Sequence, residues 1–345
     1  MFDLAPYNTF RLNVKSADGA VITNVAELDH FHADNALILG HGSDVLFTDD
    51  FSGTVLVNQI KSLSVEKLEN EKFLVKAGSG LILDELIESL ISQGIYGLEN
   101  LSLIPGTVGA APIQNVGAYG VEIGDLIKEV VVYDLQRHIQ EVYTKEQCEF
   151  GYRDSYFKRN KARPLLITQV VFELSSTFNP KAEYSGLKGI TFKTPQELRN
   201  KVIELRKCKL PDPKLVGNAG SFFKNPIVSK ELASTLKQKY QDMPVYEFDE
   251  TSMKLAAGWL IEKAGCKGIT HGNVGTWEHQ SLVIVNRGDA KPHEVVALAK
   301  YIMAEVFNKF GIKLEPEVRT MTQKERFRGK DFKLLKISKA PKFRS

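Results

Sequence analysis

Leu39–Phe47, LGHGSDVLF, sets an apolar approach against a Gly-His-Gly-Ser-Asp turn and a second apolar run. Two glycines around one residue allow φ > 0, and successive backbone N–H groups in such a turn can form a concave anion site. In a dinucleotide fingerprint the loop would continue into a helix, with the pyrophosphate on the helix N-terminus. Here it continues into Val45-Leu46-Phe47, which favours a strand. The usual dinucleotide fold is therefore not expected. Two readings remain: a glycine-rich hairpin, or a loop between strands that holds a phosphate group.

Around this stretch, the 345 residues suggest about two domains. The hydrophobic share of 43% and charged share of 25% suit a soluble globular protein. The start, MFDLAPYNTF, has neither the basic residues nor the apolar core of a secretory signal. Apolar runs such as Ala256–Ile261 fall far short of the ~20 residues a membrane span needs. Cys148, Cys208 and Cys266 are odd in number and widely spaced, so no metal motif or disulfide framework is expected, and a cytoplasmic location fits. The net charge of +3 hides a division. Lys324–Ser345 carries +7, so the rest of the chain is −4. Such a tail could touch nucleic acid or anionic lipid, but a solvated extension is the simpler expectation. No nucleic-acid partner is expected.

The chain reads as α+β. Strands are expected at Ala36–Leu39, Asp44–Phe47, Thr54–Asn58, Phe73–Ala77, Glu129–Leu135, Gln140–Thr144 and Leu166–Leu174. Leu81–Gln93 has the spacing of a helix, with Gly94 placed to end it. Near 194 the pattern changes. Thr194-Pro195-Gln196-Glu197 is a capping box with proline at the first helical position, opening a helix to about Cys208. Helices follow near 229–239, 253–264 and 293–310, with a strand at Ser281–Asn286 and a last one over Ile312–Thr320.

A second stretch bears on the first. Ser102–Gly120, SLIPGTVGAAPIQNVGAYG, is too rich in glycine and alanine to build a core unaided. It suits backbone lying against a large planar ligand, or a tight loop packed under another domain.

Taken in order, several pieces resemble the UDP-N-acetylenolpyruvoylglucosamine reductase family, in its type I branch. They are NTF at 8–10, LGHGSDVLF, the Ser102–Gly120 run, FGYRDSYFK at 150–158, RKCKLPDP at 206–213, GNAGSFFKNP at 217–226, the 258–280 segment, and LEPEVR at 314–319. The resemblance implies the FAD-binding fold of vanillyl-alcohol oxidase and p-cresol methylhydroxylase. It implies non-covalent FAD, NADPH as the hydride-donating cosubstrate, and reduction of a UDP-sugar enolpyruvyl ether to UDP-N-acetylmuramate for peptidoglycan. The domains expected are 1–190 for FAD (two α+β lobes, with a tyrosine loop at 180–190), 191–322 for substrate, and a basic tail at 323–345. A monomer is expected, with no metal.

The resemblance also carries site residues. Gly40, His41, Gly42, Ser43 and Asp44 would hold the FAD diphosphate. Ile104, Pro105, Gly106, Thr107, Gly109, Ala110, Gln114, Asn115, Gly117, Ala118 and Tyr119 would line the flavin. The family loop more often has Asn where this chain has Asp44, and a carboxylate beside a diphosphate is unfavourable unless it turns away or caps N–H groups. Arg153 would grip the substrate carboxylate, its guanidinium offering a two-pronged grip; an isolated GYRD would equally suit a surface Arg–Asp pair. Glu317 would donate a hydrogen bond to the developing enolate if kept protonated. In a strand it would share a face with Arg319. Ser221 would deliver the proton, with Lys209 or Lys224 as a relay. Tyr184, Lys209, Asn225, Tyr246, Gln280 and Arg319 would bind substrate. The competing readings are another FAD-dependent oxidase or dehydrogenase on the same scaffold, and a non-enzymatic protein acting through its basic tail.

Overall fold

A computed structural model describes residues 1–31, 36–160, 163–184 and 186–321. The expected tail at 323–345 lies outside them.

Phe51–Asn58 buries Val55, Leu56 and Val57 and forms the middle of the first sheet. Lys15–Ile22 and Ala36–Leu39 flank it in parallel, and Phe2–Asp3 adds an antiparallel edge. The second sheet is antiparallel, in the order Ile139–Thr144, Ile127–Asp134, Leu165–Ser175, Lys72–Gly78, Leu63–Lys67. Helix α1 (Leu83–Ser92) belongs to its core through Leu83, Leu86, Ile87 and Leu90. Each such side chain contributes roughly 1.5–3 kcal/mol when fully buried. The chain leaves α1 through Gly94, whose φ of +76° suits a residue without Cβ.

A four-residue helix α2 (Tyr156–Arg159) precedes the long strand Leu165–Ser175. Helix α3 (Pro195–Lys209) starts as expected, with the Thr194 side chain accepting from Glu197 N. The reciprocal bond differs from a capping box: Glu197 accepts from Lys193 N, one residue before the cap. Helices α4 (Lys230–Lys239), α5 (Ala257–Lys263) and α6 (Pro292–Phe310) cover two small antiparallel sheets. One runs Gly217–Ser221, Val283–Asn286, Val274–Thr276, Thr270–His271; the other runs Ile227–Ser229, Ser252–Leu255, Val245–Glu247.

Two expected elements are shorter than the sequence suggests. Ser252–Leu255 is paired on both sides, so the helix expected from 253 begins only at Ala257, where Asn225 Oδ1 accepts the Ala257 N–H at 3.0 Å. The strand expected over Ile312–Thr320 is split. Around Pro316, which has no N–H for a ladder, the chain makes a bridge to Phe223; Arg319–Met321 then pairs in parallel with Val45–Phe47. Arg319–Met321 thus closes onto the strand that follows the glycine loop. One apolar core unites Phe10, Phe47 and Val55 with Phe222, Leu260 and Ile302. Arg199 of α3 pairs with Asp84 of α1 at 2.5 Å. Among the described residues no helix is long and apolar enough to cross a membrane.

Candidate active site

The loop from Gly40 to Asp44 is not a hairpin, because Ala36–Leu39 and Val45–Phe47 lie in different sheets. Gly42 has φ +62°, and a Cβ there would sit 2.0 Å from Tyr7 O. Its carbonyl accepts from Thr9 N at 3.1 Å. That neighbour is set by buried Asn8, which donates to Leu4 O and Leu12 O and accepts from Leu12 N. The NTF motif is therefore the brace behind the loop. Ser43 Oγ donates to Pro105 O at 2.9 Å and joins the two glycine-rich stretches.

The 102–120 run is pinned to the start of α1. Val108 N donates to Leu81 O and Gly109 N to Ser79 O, both at 2.8 Å. A Cβ at Gly109 would lie 2.4 Å from Ser79 Cβ, so this glycine serves close packing. Val108 and Ala111 are core residues; the run is partly the packed loop that composition alone left open.

Between the stretches and the C-terminal segment lies a cleft of about 1090 Å³. Gly40, His41, Gly42, Ser43, Asp44, Ile104, Pro105, Gly106, Thr107, Gly109, Ala110, Gln114 and Gly117 line it. Arg153, Ser221, Lys224, Glu317 and Arg319 line it too. Asn115, Ala118 and Tyr119, expected on this wall, are not on it. Asn115 is buried, accepting from Gly124 N and donating to Gly151 O and Glu122 Oε2. Ala118 pairs with Val121, and the Tyr119 ring stands edge-on to Tyr184, centroids 5.8 Å apart.

The three expected catalytic residues converge. Arg153 sits in a tight turn closed by reciprocal Gly151–Asp154 bonds and has φ +52°, a conformation costly for a residue with a Cβ. Its Nε donates to Glu317 Oε1 at 2.6 Å and one terminal nitrogen reaches Gly117 O at 3.4 Å. Burial works against the Arg153 charge, but Glu317, Tyr152 and Glu122 together hold the guanidinium above its ordinary value. The surface Arg–Asp pair is excluded, since Asp154 pairs with Arg159. Ser221 ends a strand after a register shift at Gly220, whose N–H donates to Asn218 Oδ1. Phe222 and Phe223 are buried anchors. Glu317 N donates to Phe222 O at 2.8 Å and Lys224 N to Glu315 O at 2.9 Å, which fastens the Ser221 strand to the Glu317 segment. Val318 is buried between Glu317 and Arg319, both of which line the cleft, although only Arg319 lies in a strand.

The remaining substrate candidates lie off this wall. Tyr184 and Tyr246 are about half exposed and lie near enough to influence each other electrostatically. Asn225 caps α5, Lys209 ends α3, and Gln280 Oε1 accepts from Leu282 N. Two cleft cations, Lys158 and Arg206, and a third cation near Arg153, Lys254, were not singled out from sequence. Lys158 donates to Arg153 O at 2.7 Å and is held below its ordinary value by burial and by Lys224. Half-buried Arg206 has an Nε with no hydrogen-bond partner. Lys254 stands 4.8 Å from the Tyr152 ring and is lowered by burial and by Arg153. Lys158 and Arg206 lie inside motifs already quoted, which was the available signal. Among the described residues no group of three His, Cys, Asp or Glu could hold a metal ion.

The residues fit FAD. The cleft exceeds the space a drug-sized molecule needs, and buried Arg206 Nε lacks an acceptor that a polar ligand edge would supply. An FAD-binding domain profile matches residues 21–136. The protein is a flavin-dependent oxidoreductase. The profile of the UDP-N-acetylenolpyruvoylglucosamine reductase C-terminal domain matches residues 212–321. The reductase of Chromobacterium violaceum is 40% identical over 91% of this chain and 96% of its own length. That of Pectobacterium atrosepticum is 44% identical over 82% of each. The crystal structure of UDP-N-acetylenolpyruvylglucosamine reductase from Thermus caldophilus has the same fold, with TM-score 0.66 at 22% identity, covering 92% of this chain and 97% of that one. The chain belongs to the UDP-N-acetylenolpyruvoylglucosamine reductase family.

Proposed function

We propose that this cleft reduces UDP-N-acetylglucosamine enolpyruvate to UDP-N-acetylmuramate at the expense of NADPH, in peptidoglycan precursor synthesis, with Arg153, Ser221 and Glu317 as its catalytic residues. The carrying observation is their convergence: the 2.6 Å Arg153–Glu317 contact and the Glu317 N–Phe222 O bond beside Ser221. Loop 40–44 would hold the FAD diphosphate, and Ile104–Gly117 the flavin. Bound FAD supplies hydride transfer, from NADPH to the terminal alkene carbon of the enolpyruvyl ether.

The side chains do the rest. A substrate carboxylate at Arg153 would share one guanidinium with Glu317. Glu317 would serve as a hydrogen-bond donor towards the developing enolate. Ser221 would deliver a proton to the carbon next to the carboxylate. Of the two relay candidates Lys224 is favoured, because it lines the cleft and Lys209 does not. Tyr184, Lys209, Asn225, Tyr246, Gln280 and Arg319 would hold the rest of the substrate, with NADPH and substrate using the cleft in turn.

Residues 1–190 would serve FAD, 191–322 the substrate, and 323–345 would be a solvated extension. Three free cysteines agree with a cytoplasmic enzyme, which we take to be a monomer with no nucleic-acid partner. The test is NADPH consumption by flavin-loaded protein. Turnover that requires the enolpyruvyl ether supports the reading, and oxidation of a sugar or alcohol in its place refutes it.

A further inference from the structure

Asn115 does not line the cleft, yet its side chain is fully engaged beside it. It follows the short 3-10 helix Ala111–Gln114 at φ +46°, a left-handed conformation that Asn adopts more readily than most residues. Its Oδ1 accepts from Gly124 N at 2.9 Å, and its Nδ2 donates to Glu122 Oε2 at 2.5 Å and to Gly151 O at 3.1 Å. A side-chain amide has two N–H donors, so none remains for a ligand. Gly124 permits the approach, since a Cβ there would lie 2.7 Å from Asn115 Oδ1. Gly151 O belongs to the turn that carries Arg153, where it also accepts from Asp154 N at 3.1 Å. Two more bonds join the same two segments. Ser155 Oγ donates to Ile113 O at 2.6 Å, and Arg153 itself reaches Gly117 O at 3.4 Å. Asn115 is the middle tie of the three.

We propose that Asn115 is a positioning residue for Arg153: it holds the 151–154 turn against the 113–117 wall, so that the guanidinium stays bonded to both Gly117 O and Glu317. The inference rests on the reading that Arg153 acts on the substrate carboxylate. A residue with a Cβ at φ +52° keeps that conformation only where the surrounding structure over-determines it. The reciprocal Gly151–Asp154 bonds close the turn but do not orient it. Lys158 donates to Arg153 O at 2.7 Å, but it sits in α2, directly after the turn, and moves with it. Asn115 is anchored on the other segment, by Gly124 N and Glu122. Loss of its amide lets the turn relax and carries the guanidinium off Glu317, while the backbone bonds that fasten the Ser221 strand to the Glu317 segment stay in place.

The experiment is a double-mutant cycle of Asn115→Gly and Arg153→Ala, read by single-turnover flavin absorbance on flavin-loaded protein and by FAD affinity from flavin fluorescence. Glycine keeps the left-handed backbone and removes the amide. Asn115→Gly is expected to slow reoxidation by the enolpyruvyl ether about 10- to 100-fold, the scale of a small misplacement at a reacting centre, and to change reduction by NADPH and FAD affinity by less than about threefold. In the Arg153→Ala background the same substitution should add less than about twofold, because no guanidinium is left to position. The proposal is overturned if Asn115→Gly leaves reoxidation at its wild-type rate, slows both half-reactions equally, or multiplies with Arg153→Ala. Should Asn115→Gly fail to fold, Asn115→Asp takes its place under the same criteria; it keeps the acceptor for Gly124 N and turns an acceptor towards Gly151 O. Arg153→Ala alone separates this from the underlying reading. If it leaves reoxidation unchanged, Arg153 is not catalytic; if it slows reoxidation and the two effects multiply, only the role of Asn115 falls.

Discussion

Arg153→Lys keeps a positive charge and removes the two-pronged grip. In the wild-type cleft Nε is committed to Glu317 at 2.6 Å and a terminal nitrogen to Gly117 O at 3.4 Å, leaving further N–H groups for a substrate carboxylate. An ammonium has its donors on one atom and cannot serve two carboxylates in that planar arrangement. Loss of one charge-assisted hydrogen bond costs about 1.5–3 kcal/mol, roughly 10- to 150-fold in rate. The side chains of Arg153 and Glu317 retain 22% and 13% exposure, which favours the lower end, about 10- to 50-fold. Stopped-flow absorbance of the flavin separates the half-reactions. Reduction by NADPH should change by less than about threefold, because no substrate carboxylate is held in that step; reoxidation by the enolpyruvyl ether should carry the loss. Arg153→Ala should also destabilise the fold in urea by about 2–3 kcal/mol, less than the 3–5 of a fully buried pair. Equal slowing of both half-reactions by Arg153→Lys, or of neither, refutes the assignment.

Ser221→Ala should leave reduction by NADPH nearly intact and slow reoxidation by about 10²–10⁴-fold, the usual worth of a positioned acid; single-turnover traces check it. Asn8→Ala should cost about 3–4 kcal/mol in urea unfolding, since three buried hydrogen bonds are lost, with FAD affinity falling alongside. In FAD-free protein, Asp44 has a folded-state value raised from 3.8 to about 8. The folded state then binds more protons than the unfolded one, so the Asp44 contribution is present at low pH and is lost as pH rises through that window. Asp44→Asn should gain stability relative to wild type between about pH 4 and pH 8, a trend that thermal melts across pH would reveal or reject.

Much of the fold is legible because its signals are local. Helix α1 follows from Leu83, Leu86, Ile87 and Leu90, α3 from the Thr194 cap, and α6 from its apolar stripe and Gly311 at φ +69°. Strand Leu63–Lys67 escaped notice because it is exposed along its whole length and has no buried side to pattern. Ser252–Leu255 looked helical because its continuation into α5 is apolar, and only partners on both sides make it a strand. Within the site, the quoted motifs contain Arg153, Ser221 and Glu317, yet nothing near Arg153 indicates that its partner is Glu317 in place of Asp154.

By itself the sequence determined that the chain is α+β, that its glycine loop leads into a strand, and that its ordered motifs belong to one flavoenzyme family. These are matters of periodicity, turn chemistry and residue order, which need no distant contact. Tertiary structure decided that Arg319–Met321 pairs with Val45–Phe47, that Phe222–Lys224 fastens to Glu315–Glu317, and that Asn8 and Thr9 brace Gly42. Each joins backbone groups far apart in the chain, where pairing depends on which unsatisfied N–H and C=O groups the buried core brings together.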